Sequence, residues 1–441
     1  MLLGSSMAPK IILAAFFVIF SLKFYSAKSE TWVQGGYWLS GSGFPSSDIN
    51  SALFTHLFCA FADVNSTSYE LLLSASDEKE FSNFTDTVKQ KNPSVSTLLS
   101  IGGANANYLT FSTMVSNSSF RKSFINSSIK TARVYGFQGL DLCWVSANSS
   151  SDMYNMGVLF EEWRATIELK AGNSSQAKLI LTAAVYFHPD LRSRSFPVKQ
   201  MEQYLDWANV MAYDFHSPQW YNSTAAHAAL YDPTSIFNTD YGIKAWISGG
   251  LSSNKVVLSL PFYGYAWTLA NAQDNGIGAP ATGPAISGGG AMSYKKIRDY
   301  VLSNGANVMY NAAYVVNYCT VGSTWIGFDD VDVVKIKVAY AKEKKLLGYN
   351  SWEISYDDNW MLSQAAAQEG NNDGRNKRRL LAIVLSTSAA AILLLGCFLI
   401  YYFRIRKLKS KVGTFLLNML KEAYTLPNPM CTVSGFYCYK L

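Results

Sequence analysis

A chain of 441 residues, 15% charged and 14% aromatic, is too apolar to be disordered and long enough to bury one large core. The formal net charge of +6 is local: nine basic residues fall between Arg375 and Lys411 with no acid among them, and the rest of the chain is slightly acidic, which excludes a basic nucleic-acid surface. The six cysteines (Cys59, Cys143, Cys319, Cys397, Cys431 and Cys438) show no metal-ligand spacing, and only three precede the long apolar run near the end, so neither a metal, a cofactor nor a disulfide scaffold is expected.

In chain order, residues 1–27 read as a secretory signal: Lys10 precedes the apolar stretch 11–22, and the small residues Ser26 and Ala27 place cleavage near Ala27. Seven Asn-x-Ser/Thr triplets follow, at Asn65, Asn83, Asn117, Asn126, Asn148, Asn173 and Asn222, and predict a glycosylated region. Apolar runs at 32–38, 56–62, 96–101, 137–144, 179–186, 208–213, 256–263 and 347–352 read as strands. Helical spacing between them, as at 120–135, 158–170 and 331–345, makes the alternation regular. The body, residues 28–368, is therefore read as α/β, a (β/α)8 barrel. An open doubly wound sheet is the alternative, weakened because no Gly-x-Gly-x-x-Gly follows the first strand.

The stretch 264–325 is too long for one connection. It is rich in Gly, Ala and Tyr, contains a helical run at 293–302, and reads as an inserted small α+β lobe. Residues 369–379 are a polar stalk, and 380–403 carry no charge over a length that spans a bilayer, predicting one transmembrane helix. Basic residues flank both sides of that helix, so the signal and the sequons orient it: a single-pass type I protein of the plasma membrane, with the body outside. In the cytoplasmic tail, 404–441, residues 415–424 have amphipathic spacing, but the tail as a whole reads as an unstructured stub.

The stretch 135–145, Tyr-Gly-Phe-Gln-Gly-Leu-Asp-Leu-Cys-Trp-Val, carries one acid in an apolar strand. Strand alternation puts Asp141, Cys143 and Val145 on one face and Leu142 and Trp144 on the other. The run resembles the signature Asp-Gly-x-Asp-x-Asp-x-Glu of family 18 glycoside hydrolases, the chitinase family, most closely its plant-type members. Gln138 then stands at the first Asp, Asp141 at the second, Cys143 at the third and Val145 at the Glu. Further motifs occur in the family's order: Gly36-Tyr37-Trp38, Ala60-Phe61-Ala62, Ser100-Ile101-Gly102-Gly103, Met211-Ala212-Tyr213-Asp214 and Gly348-Tyr349-Asn350-Ser351-Trp352. Part of the layout is similar to a chitinase-related receptor-like kinase, although the tail has no Gly-x-Gly-x-x-Gly, His-Arg-Asp or Asp-Phe-Gly.

The resemblance implies a substrate-assisted mechanism. The Glu protonates the leaving oxygen, the substrate's N-acetyl oxygen attacks the anomeric carbon, and the Asp two residues earlier orients the acetamido group. Val145 has no proton to give and Cys143 is a poor replacement, so the expectation is a membrane-anchored domain that binds chitin or N-acetylglucosamine oligomers without cleaving them, with a co-receptor kinase as a candidate partner. The resemblance places Tyr37, Phe61, Tyr213 and Trp352 along the sugar cleft with Met211 and Asp214, while Gly102 and Gly103 suit a tight turn. For Tyr37 and Phe61, barrel core is an equal reading. The alternatives are an active chitinase and a structural or protein-binding barrel; a glycan on Asn148 would lie near the cleft rim.

Overall fold

The computed structural model describes residues 32–174, 176–191 and 194–424, with only the backbone of 191, 194, 372–393, 395, 423 and 424. The expected signal segment 1–27 lies outside the described residues. The chain forms two units, residues 1–371 and 372–441.

Eight parallel strands build the first unit. They are β1 (Val33–Leu39), β2 (His56–Val64), β3 (Ser96–Gly102), β4 (Gly139–Cys143), β5 (Ile180–Tyr186), β6 (Trp207–Met211), β7 (Val256–Pro261) and, after an insertion, β14 (Gly348–Trp352). The order β1-β14-β7-β6-β5-β4-β3-β2 closes on itself, because β1 pairs with both β14 and β2. This closure excludes the open-sheet alternative. The strands read as nearly continuous apolar runs because both faces are buried, one by the barrel interior and one by the helices.

The helices that cover the barrel are α1 (Ala75–Lys91), α2 (Tyr108–Ser116), α3 (Ser118–Val134), α4 (Ser150–Gly172), α5 (Val198–Tyr204), α6 (Thr239–Ser248) and α8 (Val331–Glu343). Local chemistry sets their starts. Ser74, Asn107, Asn117, Ser149, Asn238 and Asp330 each cap a helix by accepting a backbone N–H, and Ser149 with Asp152 forms a full capping box. That box starts α4 eight residues before the expected position, since the apolar spacing alone does not register the polar first turns.

The run expected as one strand over 256–263 is two elements. β7 ends at Pro261, and Tyr263 opens β8 (Tyr263–Leu269), the first strand of the inserted lobe. The lobe adds β9 (Ala281–Pro284), β10 (Ala291–Ser293), α7 (Tyr294–Asn304), β11 (Val308–Asn311), β12 (Val316–Val321) and β13 (Thr324–Phe328), giving an antiparallel sheet of order β9-β8-β13-β12-β11 with β10 also on β8. Trp267 and Trp325, 5.4 Å apart edge-to-face, fill its core.

The last helix, α9 (Met361–Tyr424), begins in the first unit. In the second unit the described backbone is helical to Tyr424, so residues 404–424 are helical where an unstructured stub is expected, the amphipathic stretch 415–424 included. Among the described residues no helix is long and apolar enough to cross a membrane; the side chains of 372–393, most of the expected span, lie outside them.

The barrel seam gives a stability prediction. A methyl group at Gly348 would collide with the Val33 carbonyl between β14 and β1, whereas Gly276 faces open space. Gly348→Ala should cost about 1–3 kcal/mol or more in chemical unfolding, and Gly276→Ala should be neutral or slightly stabilising.

Candidate functional site

The carboxyl ends of the barrel strands open onto a cavity of about 730 Å³ whose lining includes Tyr37, Phe61, Gly102, Cys143, Val145, Met211, Tyr213, Asp214 and Trp352. Of the expected cleft residues only Gly103 is not part of this wall. Its role is close approach: φ is +85°, and a Cβ there would lie 2.5 Å from the Phe61 ring. Gly103 N–H also donates to the Cys143 carbonyl at 2.8 Å, locking the ends of β3 and β4 together. Gly102, at φ +113°, leaves room for that carbonyl.

Beneath the cavity lies a polar layer centred on Asp141, which is fully buried. Its Oδ2 accepts from Tyr37 Oη at 3.0 Å and Ser100 Oγ at 2.7 Å, and its Oδ1 from Thr182 Oγ1 at 2.6 Å and Asn209 Nδ2 at 3.2 Å. Strand register explains the convergence, since Ser100 and Thr182 stand directly opposite Asp141 on β3 and β5. Burial pushes the Asp141 carboxyl above its usual range, and the four donors pull against that push. Asn209 continues the layer, accepting from Asn350 Nδ2 at 2.9 Å.

Tyr37 serves both layers. Its hydroxyl points down to Asp141, its ring stacks on Phe58 at 4.3 Å, and the buried side chain forms part of the cavity lining. Phe61 packs on Trp352 at 5.6 Å in a stacked arrangement, and Trp352 meets Tyr37 edge-on at 5.5 Å. These three rings form an apolar wall suited to the face of a pyranose. Trp144 points the other way, buried against Phe111 on α2.

At the floor of the cavity the Cys143 thiol is buried, and burial together with the Asp141 charge pushes it far above the range in which a thiolate forms. Val145 lines the cavity with an alkyl side chain, and its carbonyl accepts from Tyr186 Oη at 2.7 Å. Asp141 cannot replace the missing acid, because all its contacts are with barrel-interior donors beneath the wall.

Asp214, the remaining cleft-facing carboxyl in the expected set, takes a left-handed backbone (φ 58°) that turns it toward the cavity. Its Oδ1 accepts from Tyr263 Oη at 2.5 Å and Tyr265 Oη at 3.0 Å, and His227 Nδ1 lies 3.9 Å away. Burial works against its charge, but His227 and the two hydroxyls outweigh that and hold it below the usual carboxylate range. These three partners are absent from the motif set. The Tyr263-Gly264-Tyr265 alternation puts both hydroxyls on one strand face and is a legible signal; His227 has none.

Asp63 and Asp77 also line the cavity, and among the described residues no Lys or Arg does, so the described wall suits a neutral ligand better than a phosphorylated one. Among the described residues no group of three or more His, Cys, Asp or Glu could hold a metal ion. Cys59, Cys143 and Cys319 are unpaired and buried.

The profile of "Glycosyl hydrolases family 18" matches residues 25–357. The chain belongs to this family. It is 46% identical over 362 residues to a class V chitinase of Arabidopsis thaliana, covering 82% of this chain and 96% of that one. A mutant of the class V chitinase from Nicotiana tobaccum, solved in complex with NAG4, is 47% identical with a TM-score of 0.76, covering 77% of this chain and 98% of that one. The chitinase-like agglutinin of Robinia pseudoacacia is 43% identical with a TM-score of 0.73, covering 77% and 99%. The family 18 barrel is thus retained in this chain, while Cys143 and Val145 leave its floor without the cleft-facing carboxyls of the signature strand.

The polar layer carries the second prediction. Asp141→Ala strands four buried donors and should lower unfolding stability by at least about 3 kcal/mol, measured by chemical denaturation. A loss below about 1 kcal/mol would mean that the layer does not depend on this carboxylate.

Proposed function

We propose that this protein binds β-1,4-linked N-acetylglucosamine oligomers in the cleft without hydrolysing them. The observation that carries the reading is Val145, an alkyl side chain at the cavity floor where the family mechanism requires a proton donor. Cys143, two residues earlier, is a neutral thiol where a carboxylate would orient the acetamido group. Loss of general-acid catalysis alone lowers rates by about 10²–10⁴-fold, and loss of the charge partner lowers them further. The binding parts persist: the Tyr37–Phe61–Trp352 wall takes a sugar face, and Asp214 and Tyr213 take polar edges. The NAG4 complex of the tobacco relative and the agglutinin relative support sugar recognition on this fold.

We place the barrel at the cell surface as a type I membrane protein, with glycans on Asn-x-Ser/Thr triplets and signal transfer through a separate co-receptor kinase. The support is in the sequence: the uncharged run 380–403, its basic flanks and the seven triplets upstream. Asn148 is exposed in the loop between β4 and α4, so a glycan there stands three residues from Val145 in the same connection.

Calorimetry on the purified chain tests the reading. Chitotetraose should bind, and Trp352→Ala should weaken binding by about tenfold or more. Turnover by the native chain that disappears in Asp214→Asn would contradict the reading. Cys143→Asp combined with Val145→Glu should introduce measurable hydrolysis of the same oligomer; its absence would show that more of the cleft than these two side chains has diverged.

A further inference from the structure

Residues 404–441 differ in charge from the barrel. They hold seven Lys or Arg against one acid, Glu422, and five of the bases, Arg404, Arg406, Lys407, Lys409 and Lys411, fall within eight residues. This cluster directly follows the uncharged run 380–403. A block of like charges in water repels itself and tends to stay disordered, yet the described backbone here is helical. The chain does not supply the missing counter-charge: all five side chains are exposed, and among the described residues none of them forms an ion pair.

Helical geometry decides what kind of surface would supply it. At 100° per residue, Arg404, Lys409, Arg406, Lys407 and Lys411 stand at roughly 0°, 140°, 200°, 300° and 340° round the axis. The charges ring the helix and do not gather on one side. A helix lying flat on a membrane turns one basic side to the lipid, so such a ring does not suit that arrangement. A helix crossing the headgroup layer meets phosphate and carboxylate groups all round, and every one of the five bases is used. The height agrees. Arg404 to Lys411 rises about 10 Å along the axis, and the headgroup layer is roughly 5–8 Å deep on each side of a bilayer. Long aliphatic stems let the outermost bases bend toward that layer. No break in the helix is required, because α9 runs through the whole cluster.

We infer that residues 404–411 form a collar that binds anionic phospholipid where the helix leaves the inner leaflet. Each base draws a headgroup to the chain, so the lipid next to the protein carries more negative charge than the bilayer as a whole. The inference rests on the membrane-anchored reading above, which sets the depth of the collar.

Lipid retention by the full chain tests it. Chain purified in a neutral detergent is mixed with equal amounts of phosphatidylcholine and phosphatidylserine, recovered by size exclusion, and its retained lipid is counted by mass spectrometry. Phosphatidylserine should exceed phosphatidylcholine at least about fivefold, and salt at about 0.5 M should reduce that excess. Replacing all five bases with Gln should bring the ratio close to one, whereas making all five Lys should preserve it. A native ratio near one, which would leave the bases to an acidic protein partner, overturns the inference, as does an excess that the Gln variant keeps. Flotation of the full chain with phosphatidylcholine vesicles tests the anchored reading separately. A chain that does not float contradicts that reading and the collar with it; a chain that floats and shows a ratio near one contradicts the collar alone.

Discussion

The structure depends on one buried carboxylate. Asp141 takes four hydrogen bonds from four different strands, β1, β3, β5 and β6, at the centre of a buried polar layer. A charge in that setting survives only if every lone pair is used, and here both oxygens accept twice. Because its partners come from strands far apart in sequence, Asp141 ties the closure of the barrel to the position of Tyr37, and through Tyr37 to the ring wall above.

On the proposed reading, this division between floor and layer lets a family 18 strand exchange its reactive groups and keep its shape. Asp141 points into the barrel, where the fold needs it. Cys143 at the end of β4 and Val145 in the turn after it line the cavity. Replacing carboxyls there removes charge from the cavity, relieves desolvation and leaves the polar layer intact. Asp214 survives on separate support, from tyrosines of the lobe and a histidine behind them, so the remaining polar recognition is mechanically independent of the altered strand.

Much of this was legible in the sequence. Strand–helix alternation gave the barrel, and the motifs at the strand ends located Tyr37, Phe61, Tyr213, Asp214 and Trp352 on one cavity. What escaped depends on contacts distant along the chain. The Tyr263 boundary was hidden because β7 and β8 form one unbroken apolar run. Gly103 reads as a tight-turn residue, and only the fold shows that the Phe61 ring also fills the space a side chain there would need. Asp141 has the spacing of a catalytic acid, and only the register with Ser100 and Thr182 shows that its bonds all face inward. His227 sits in an alanine-rich run with no pattern to mark it.

The central claim is that the cleft holds an oligosaccharide and leaves it whole. The most direct measurement is mass spectrometry of chitohexaose recovered from the purified protein after prolonged incubation and removal of unbound sugar. The account predicts intact hexamer retained in proportion to protein. Accumulation of dimers, trimers and tetramers at a rate that scales with protein would contradict it.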